Sequence, residues 1–210
     1  MMGVLETGLA RYFSPAQLCI LREVSVGISG AGGLGSNVAM MLVRSGIRSL
    51  TILDNDIVEA SNLNRQAFFP GDVGKPKVQA LSAHLLALEP VVRLVVHECT
   101  ITRENAVTLF ADCPIVVEAV DVAETKVMLY EVFAPIKDLY VTASGLAGYG
   151  GSGEHMMTFM RPRCNVVAVG DFSTAVGDVN PPLAPRVMQA AGMQADAVLN
   201  FILSGGMDNA

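Results

Sequence analysis

Short apolar runs alternate along this chain with stretches whose apolar positions recur at helical spacing. Residues 24–28 read as a strand, followed by a glycine-rich turn and a helix from about residue 34 to 45 that stops at Gly46, a natural helix end. Residues 49–53 predict a second strand. From residue 54 to 76 the pattern dissolves into polar, Asn-rich chain with Gly and Pro, about as long as a loop gets in a compact domain without serving a function. The spacing then predicts a helix over about 76–88, with Val78, Leu81, Leu85 and Leu88 on one stripe. Residues 91–96 form a third strand, Thr102 caps a helix running to about Phe110, and residues 115–120, apolar at nearly every position, read as a strand buried on both faces. A helix near 122–133 and a fifth strand at 139–142 continue the β-α-β-α succession, which implies a mostly parallel sheet with helices on both faces.

The last third changes character. Residues 144–153 are too rich in glycine for regular structure, and they lead into two strands near 155–160 and 166–169 that extend the sheet in antiparallel sense. A closing helix over about 184–203 carries Met188, Ala191, Ala195, Leu199 and Ile202 at helical spacing. With neither a repeat nor a linker, the 210 residues are expected to form one domain, 1–210.

Composition narrows the class. Hydrophobic residues make up 51% and charged residues 16%, against roughly 25% charged in an average soluble domain. That excludes a disordered chain and points to an apolar surface used between subunits, hence a homodimer. Fourteen Lys and Arg against 20 Asp and Glu leave a formal charge of −6, and no basic cluster offsets it, so nucleic acid is not the expected partner. Cys19, Cys99, Cys113 and Cys164 never form a Cys-x-x-Cys pair, so neither a zinc ribbon nor a disulfide framework is read from them, and a reducing cytoplasm fits. The start of the chain lacks the apolar core of a secretory signal, and no apolar run reaches the ~18 residues of a membrane span, so a soluble protein without membrane attachment is expected.

The strongest chemical signal is Gly30-Ala31-Gly32-Gly33-Leu34-Gly35, a G-x-G-x-x-G directly after a strand and at the mouth of a helix. Such glycines let the backbone turn tightly and approach a phosphate, while the helix N-terminus offers free N–H groups and partial positive charge. Asp54 ends the second strand, where an acid accepts hydrogen bonds from ribose hydroxyls. These features specify an adenine nucleotide without separating NAD from ATP. What separates them is the segment from Asp54 to Gln66, followed by Gly74-Lys75-Pro76-Lys77. A dehydrogenase has no use for an Arg and a Lys converging on the phosphates, whereas nucleotidyl transfer does, because charge grows on the triphosphate as pyrophosphate leaves.

Gly-Ala-Gly-Gly-Leu-Gly, Asp-x-Asp-x-Val-Glu-x-Ser-Asn-Leu-Asn-Arg-Gln, Gly-x-Pro-Lys and a later Glu-Ala-x-Asp together resemble the ThiF/MoeB/ubiquitin-activating superfamily of ATP-dependent adenylyltransferases, most strongly over residues 24–121. The overall cast is similar to short ThiF proteins without the zinc site. The resemblance implies a Rossmann-like fold, with Gly30, Gly32, Gly33 and Gly35 shaping the nucleotide loop, Asp54 holding the ribose, and Asn62 and Arg65 contacting phosphates. It implies that Lys77 binds the triphosphate and stabilises the transition state with Arg65, and that Asp121 coordinates Mg²⁺. The implied reaction is attack by the C-terminal glycine carboxylate of a small ubiquitin-like sulfur carrier on ATP. A ThiS-like carrier of thiamine biosynthesis is favoured over a MoaD-like carrier of molybdopterin synthesis. An NAD(P)-dependent oxidoreductase and a non-catalytic carrier-binding module are the other readings.

Several residues also have plainer readings. Asp121 with Glu124 forms a capping box for the following helix, and Lys77 in a first helical turn opposes the helix dipole unless an anion lies near. Asp56 and Glu59 read as loop-structuring, His84 as a satisfied core-edge residue, and Cys164 as structural rather than sulfur-handling. One departure stands out: relatives carry Arg-Tyr-x-Arg-Gln near the N-terminus, whose second Arg reaches the partner subunit's ATP, but Arg11-Tyr12-Phe13-Ser14 puts Ser14 there and leaves Arg11 as its substitute. The stretch from Gly145 to Gly153 either borders a channel for the carrier's tail or simply connects two strands.

Overall fold

The computed structural model describes residues 3–149, 156–177 and 180–206. Its centre is a seven-stranded sheet of β1 (Ser25–Ser29), β2 (Ser49–Leu53), β3 (Arg93–His97), β4 (Ile115–Glu118), β5 (Leu139–Ala143), β6 (Thr158–Arg163) and β7 (Val166–Gly170), in the order β3-β2-β1-β4-β5-β7-β6. Every pair is parallel except β6 with β7. The antiparallel relation expected near the C-terminus is therefore internal to that hairpin, while β7 itself runs parallel to β5. Pro162 has no N–H for a ladder, and the β6 register shifts between Met160 and Arg163. Gly150 to Gly153 and His155 lie outside the described residues.

Alternate strand positions feed two cores. Ile115 and Val117 of β4 and Leu139 and Val141 of β5 face one layer. It is formed by α2 (Pro15–Glu23), α3 (Gly33–Arg44), α4 (Lys77–Leu88) and α7 (Ala184–Ser204). Val116 and Tyr140 point the other way, onto Phe110, Leu129 and Phe133 at α5 (Arg103–Leu109) and α6 (Ala123–Phe133). Helices thus cover both faces, as the parallel pattern requires. Gly27 lets this second layer close: a Cβ there would stand 2.5 Å from the Phe110 ring.

The periodicity did not show α1 (Val4–Leu9) or α2. The first is short, and its anchor is tertiary: buried Glu6 pairs with Arg22 and Arg48 at 3.0 Å each, and Arg48 reaches Glu89 at 3.0 Å. The second begins at a capping box in which Ser14 Oγ accepts from the Gln17 amide and Gln17 Oε1 accepts from the Ser14 amide, with Pro15 in the first turn. Thr102 stands at the N-cap of α5 as expected, its amide donating to Asn105 Oδ1 at 2.8 Å. Asp121 and Glu124 do not form the expected capping box. The N-cap of α6 is Val122, without a side-chain cap, because the helix starts one residue later than that pattern needs.

Candidate functional site

The strand order reverses between β1 and β4, and in open α/β sheets ligands bind at that point, beyond the carboxyl ends of the strands. The chain leaves β1 through Gly30, whose φ of +101° suits glycine and whose α-carbon packs so closely on the β4 exit that a Cβ would lie 2.7 Å from the Ala119 carbonyl oxygen. Gly35 is fixed more severely, since a Cβ there would meet the Gly30 oxygen at 1.8 Å. Gly32 is different: a Cβ would find open space apart from Gln66 Nε2 at 3.9 Å. The fold therefore needs Gly30 and Gly35 for its own packing, whereas Gly32 leaves room at the start of α3, where unpaired N–H groups favour an anion.

The loop between β2 and α4 is bolted onto this turn. Asp54 Oδ2 accepts from the Ala31 amide at 2.6 Å and Oδ1 accepts from the Asp56 amide at 2.8 Å, so one buried carboxylate joins the β2 exit to the glycine turn. Asp56 in turn holds Lys77 Nζ at 2.7 Å. Lys77 is buried at the start of α4 while Asp56 is exposed, so an anionic ligand can replace or share that partner. Asn62 uses its Oδ1 to accept from the Glu59 amide at 3.0 Å, a structural task that shapes the short turn Ala60–Asn62. Arg65 lays its Cγ and Cδ 3.6 and 3.7 Å from a Cβ position on Gly33, its Nη1 held by Ser61 O and Asn64 Oδ1. Asn37 of α3 donates to the Arg65 carbonyl at 2.9 Å, and Ser36 Oγ accepts from the Ala67 amide at 3.0 Å.

Asp121 follows β4 and is exposed, with no hydrogen bond or ion pair among the described residues. Beneath it lies a network the sequence reading missed. Fully buried Glu118 receives Lys126 Nζ at 2.8 and 2.9 Å, Thr142 Oγ1 at 2.5 Å and the Val120 amide at 2.8 Å. Glu118 lies within an otherwise apolar strand, and that misplaced charge was the available signal. The structure thus gathers Gly30–Gly35, Asp54, Arg65, Lys77 and Asp121 at one end of the sheet. Arg11 is exposed after α1 and forms no hydrogen bond or ion pair with those residues of its own chain among the described residues. His84 is a satisfied core-edge residue, with Nδ1 3.1 Å from Ala67 O and Nε2 3.0 Å from Asp72. Cys164 is exposed in the turn between β6 and β7, so it fills no core.

A concavity lies beside the start of α7, whose Val187 packs on Gly33. About 390 Å³ in volume, it is bordered by Ala147, Gly148, Tyr149, Ser173, Asn180 and Arg186. Asp171 holds three of its border residues: it pairs with Arg186 and accepts from the amides and hydroxyls of Ser173 and Thr174. Burial raises the carboxyl of Asp171, but the Thr174 and Ser173 hydrogen bonds and the Arg186 charge outweigh it and bring the pKa down to about 2. Asn64 of the long loop donates to the Pro182 carbonyl at 3.2 Å, tying that loop to the chain just before α7.

Sheet order, the glycine turn and Arg65 laid against it define a Rossmann-like α/β domain with a glycine-rich turn at its switch point. The chain belongs to the ThiF family, whose model matches residues 7–210. It is 37% identical over 110 residues to the sulfur carrier protein adenylyltransferase of Thermus thermophilus, covering 52% of this chain and 41% of that protein. It is 33% identical over 110 residues to the probable adenylyltransferase/sulfurtransferase MoeZ of Mycobacterium tuberculosis, covering 52% of this chain and 28% of that protein. The matched region is thus less than half the length of these relatives. Among solved structures, the E. coli tRNA N6-threonylcarbamoyladenosine dehydratase TcdA in complex with AMP superposes with a TM-score of 0.82 at 20% identity, over 95% of this chain and 94% of that one. E. coli MccB with ATP gives 0.65 at 24% identity, over 89% and 58%. These two likenesses carry the fold.

Proposed function

We propose that this domain adenylates the C-terminal glycine carboxylate of a small ubiquitin-like sulfur carrier, ThiS-like and serving thiamine biosynthesis, in a cytoplasmic homodimer. The observation that carries the reading is Arg65 laid against Gly33, beside a glycine turn whose Gly32 is open, with the buried Lys77 tied through Asp56 to the Asp54 carboxylate that bonds that turn. The relatives named as sulfur carrier adenylyltransferases supply the substrate class. A carboxylate is already ionised at neutral pH, so the reaction needs no general base. Its oxygen attacks the α-phosphorus of ATP, the bond to the β-phosphate oxygen breaks, and acyl-adenylate and pyrophosphate result. Arg65 and Lys77 offset the charge that grows on the leaving group, and Asp54 retains acceptor sites for the ribose. Asp121 suits Mg²⁺, since such a site is one or two carboxylates plus substrate phosphates, and this carboxylate has no protein partner among the described residues. When bound, that ion neutralises phosphate charge. The concavity beside Tyr149, whose border includes Ala147, Gly148, Ser173 and Ala175, suits a narrow glycine tail.

A MoaD-like carrier is the second reading of the same site. An NAD(P) oxidoreductase leaves Arg65 and Lys77 unused, and a net charge of −6 opposes a polyanionic RNA substrate. ATP–pyrophosphate exchange is expected with a ThiS-like carrier and to vanish when the carrier's terminal glycine is removed. ATP with Mg²⁺ should raise the melting temperature, as any ligand of the native state does, whereas NAD should not. Carrier-independent exchange, or equal stabilisation by NAD, overturns the reading.

A further inference from the structure

Gln66 is 7% exposed, and its Oε1 is buried without a hydrogen-bond partner. No hydrogen bond reaches its side-chain amide from the described residues. A buried amide oxygen left unpaired costs the folded state its desolvation. The chain nevertheless holds it in place: Asn37 donates to the carbonyl before it, Ser36 Oγ accepts from the amide after it, and its own N–H donates to Asn62 O at 2.9 Å. Three contacts thus pin the Gln66 backbone against α3 and the long loop. They deliver the unused amide to Gly32, where Gln66 Nε2 is the sole atom within 4 Å of a Cβ position. A rigidly mounted amide whose oxygen is buried and unpaired and whose nitrogen faces the open Gly32 is placed to meet a ligand there.

We propose that Gln66 is a nucleotide-contact residue: its Nε2 donates to a phosphate oxygen seated above Gly32. This inference rests on the ATP reading above. The cost of leaving the amide bare is carried by the free protein and recovered on binding, so Gln66 opposes stability while supporting affinity.

The test uses Gln66→Met, which keeps length and volume without the amide, and Gln66→Glu, which keeps shape but sets a negative charge against the phosphate. Affinities for ATP and for adenosine are measured by calorimetry, beside the melting temperature of each free protein. The expected result is ATP binding about tenfold or more weaker in Gln66→Met and weaker again in Gln66→Glu, with adenosine affinity unchanged and the free Gln66→Met protein melting no lower than wild type. ATP affinity within threefold of wild type in both variants overturns the proposal, as does an equal loss for adenosine, which marks general damage. If Gln66→Met fails to fold, Gln66→Glu decides by the same two ligands. If wild-type protein binds no ATP, the functional reading falls along with this one; if wild type binds and the variants match it, this inference alone falls.

Discussion

Two carboxylates at the exit of β4 have opposite fates. Glu118 is fully buried with donors on both oxygens, whereas exposed Asp121 has none among the described residues. The first fixes the strand end, and the second is left exposed beside it, open to the Mg²⁺ role proposed for it. Because Asp121 does not cap α6, Asp121→Asn has little structure to disturb. The melting temperature is expected to stay within a degree or so, as for surface substitutions generally, while carrier-dependent exchange falls by about 10²-fold or more. Full activity in the variant removes Asp121 from the chemistry. Residue chemistry was legible where a motif fixed it: the glycine turn follows β1, Asp54 at the β2 exit bonds the Ala31 amide, and Arg65 lies against Gly33. It was not legible where a partner lies far away in sequence, as in the pairing of Asp171 with Arg186.

At the scale of elements, the parallel β-α-β core was readable because each strand and helix there has its own period and its own punctuation. Boundaries moved by a residue or two; β3 runs Arg93–His97 rather than 91–96, since the ladder to β2 and not hydrophobicity sets its ends. The helix α1 escaped because six residues held by Glu6 to Arg22 and Arg48 have no periodic signature of their own. The capping box of α2 was present in the letters Ser14 to Gln17 and explains why Ser14 occupies that position. The junction of β7 with α7 is equally tertiary, and it has a measurable pH dependence. A carboxyl held near 2, against an ordinary value of 3.8, contributes stability that is complete above about pH 4 and disappears as the pH falls through about 2. Asp171→Asn should cost roughly 2 kcal/mol near neutrality, and the gap to wild type in urea unfolding should narrow between about pH 4 and pH 2. A gap constant over that range rules out the carboxylate as its origin.

For the whole molecule, the apolar excess read from composition surfaces at both sheet edges: Val95 and Val96 on β3, Phe159 and Met160 on β6. If the functional unit is a dimer in which Arg11 serves the partner's ATP, Arg11→Ala and Lys77→Ala proteins should each lose exchange activity. Mixing them under conditions that exchange subunits should restore part of it, through hybrid dimers with one intact site. No recovery in demonstrably hybrid dimers shows that Arg11 does not act across the interface. A last consequence concerns the order in which the molecule is made. Val187 of α7 packs 3.0 Å from a Cβ position on Gly33, and Gln194 donates to the Glu118 carbonyl at 2.9 Å, so a late helix props up a cradle built from early residues. On the ribosome the glycine turn emerges long before that prop. The cradle therefore acquires its final packing only when α7 docks, as the last element of the sheet's helical cover.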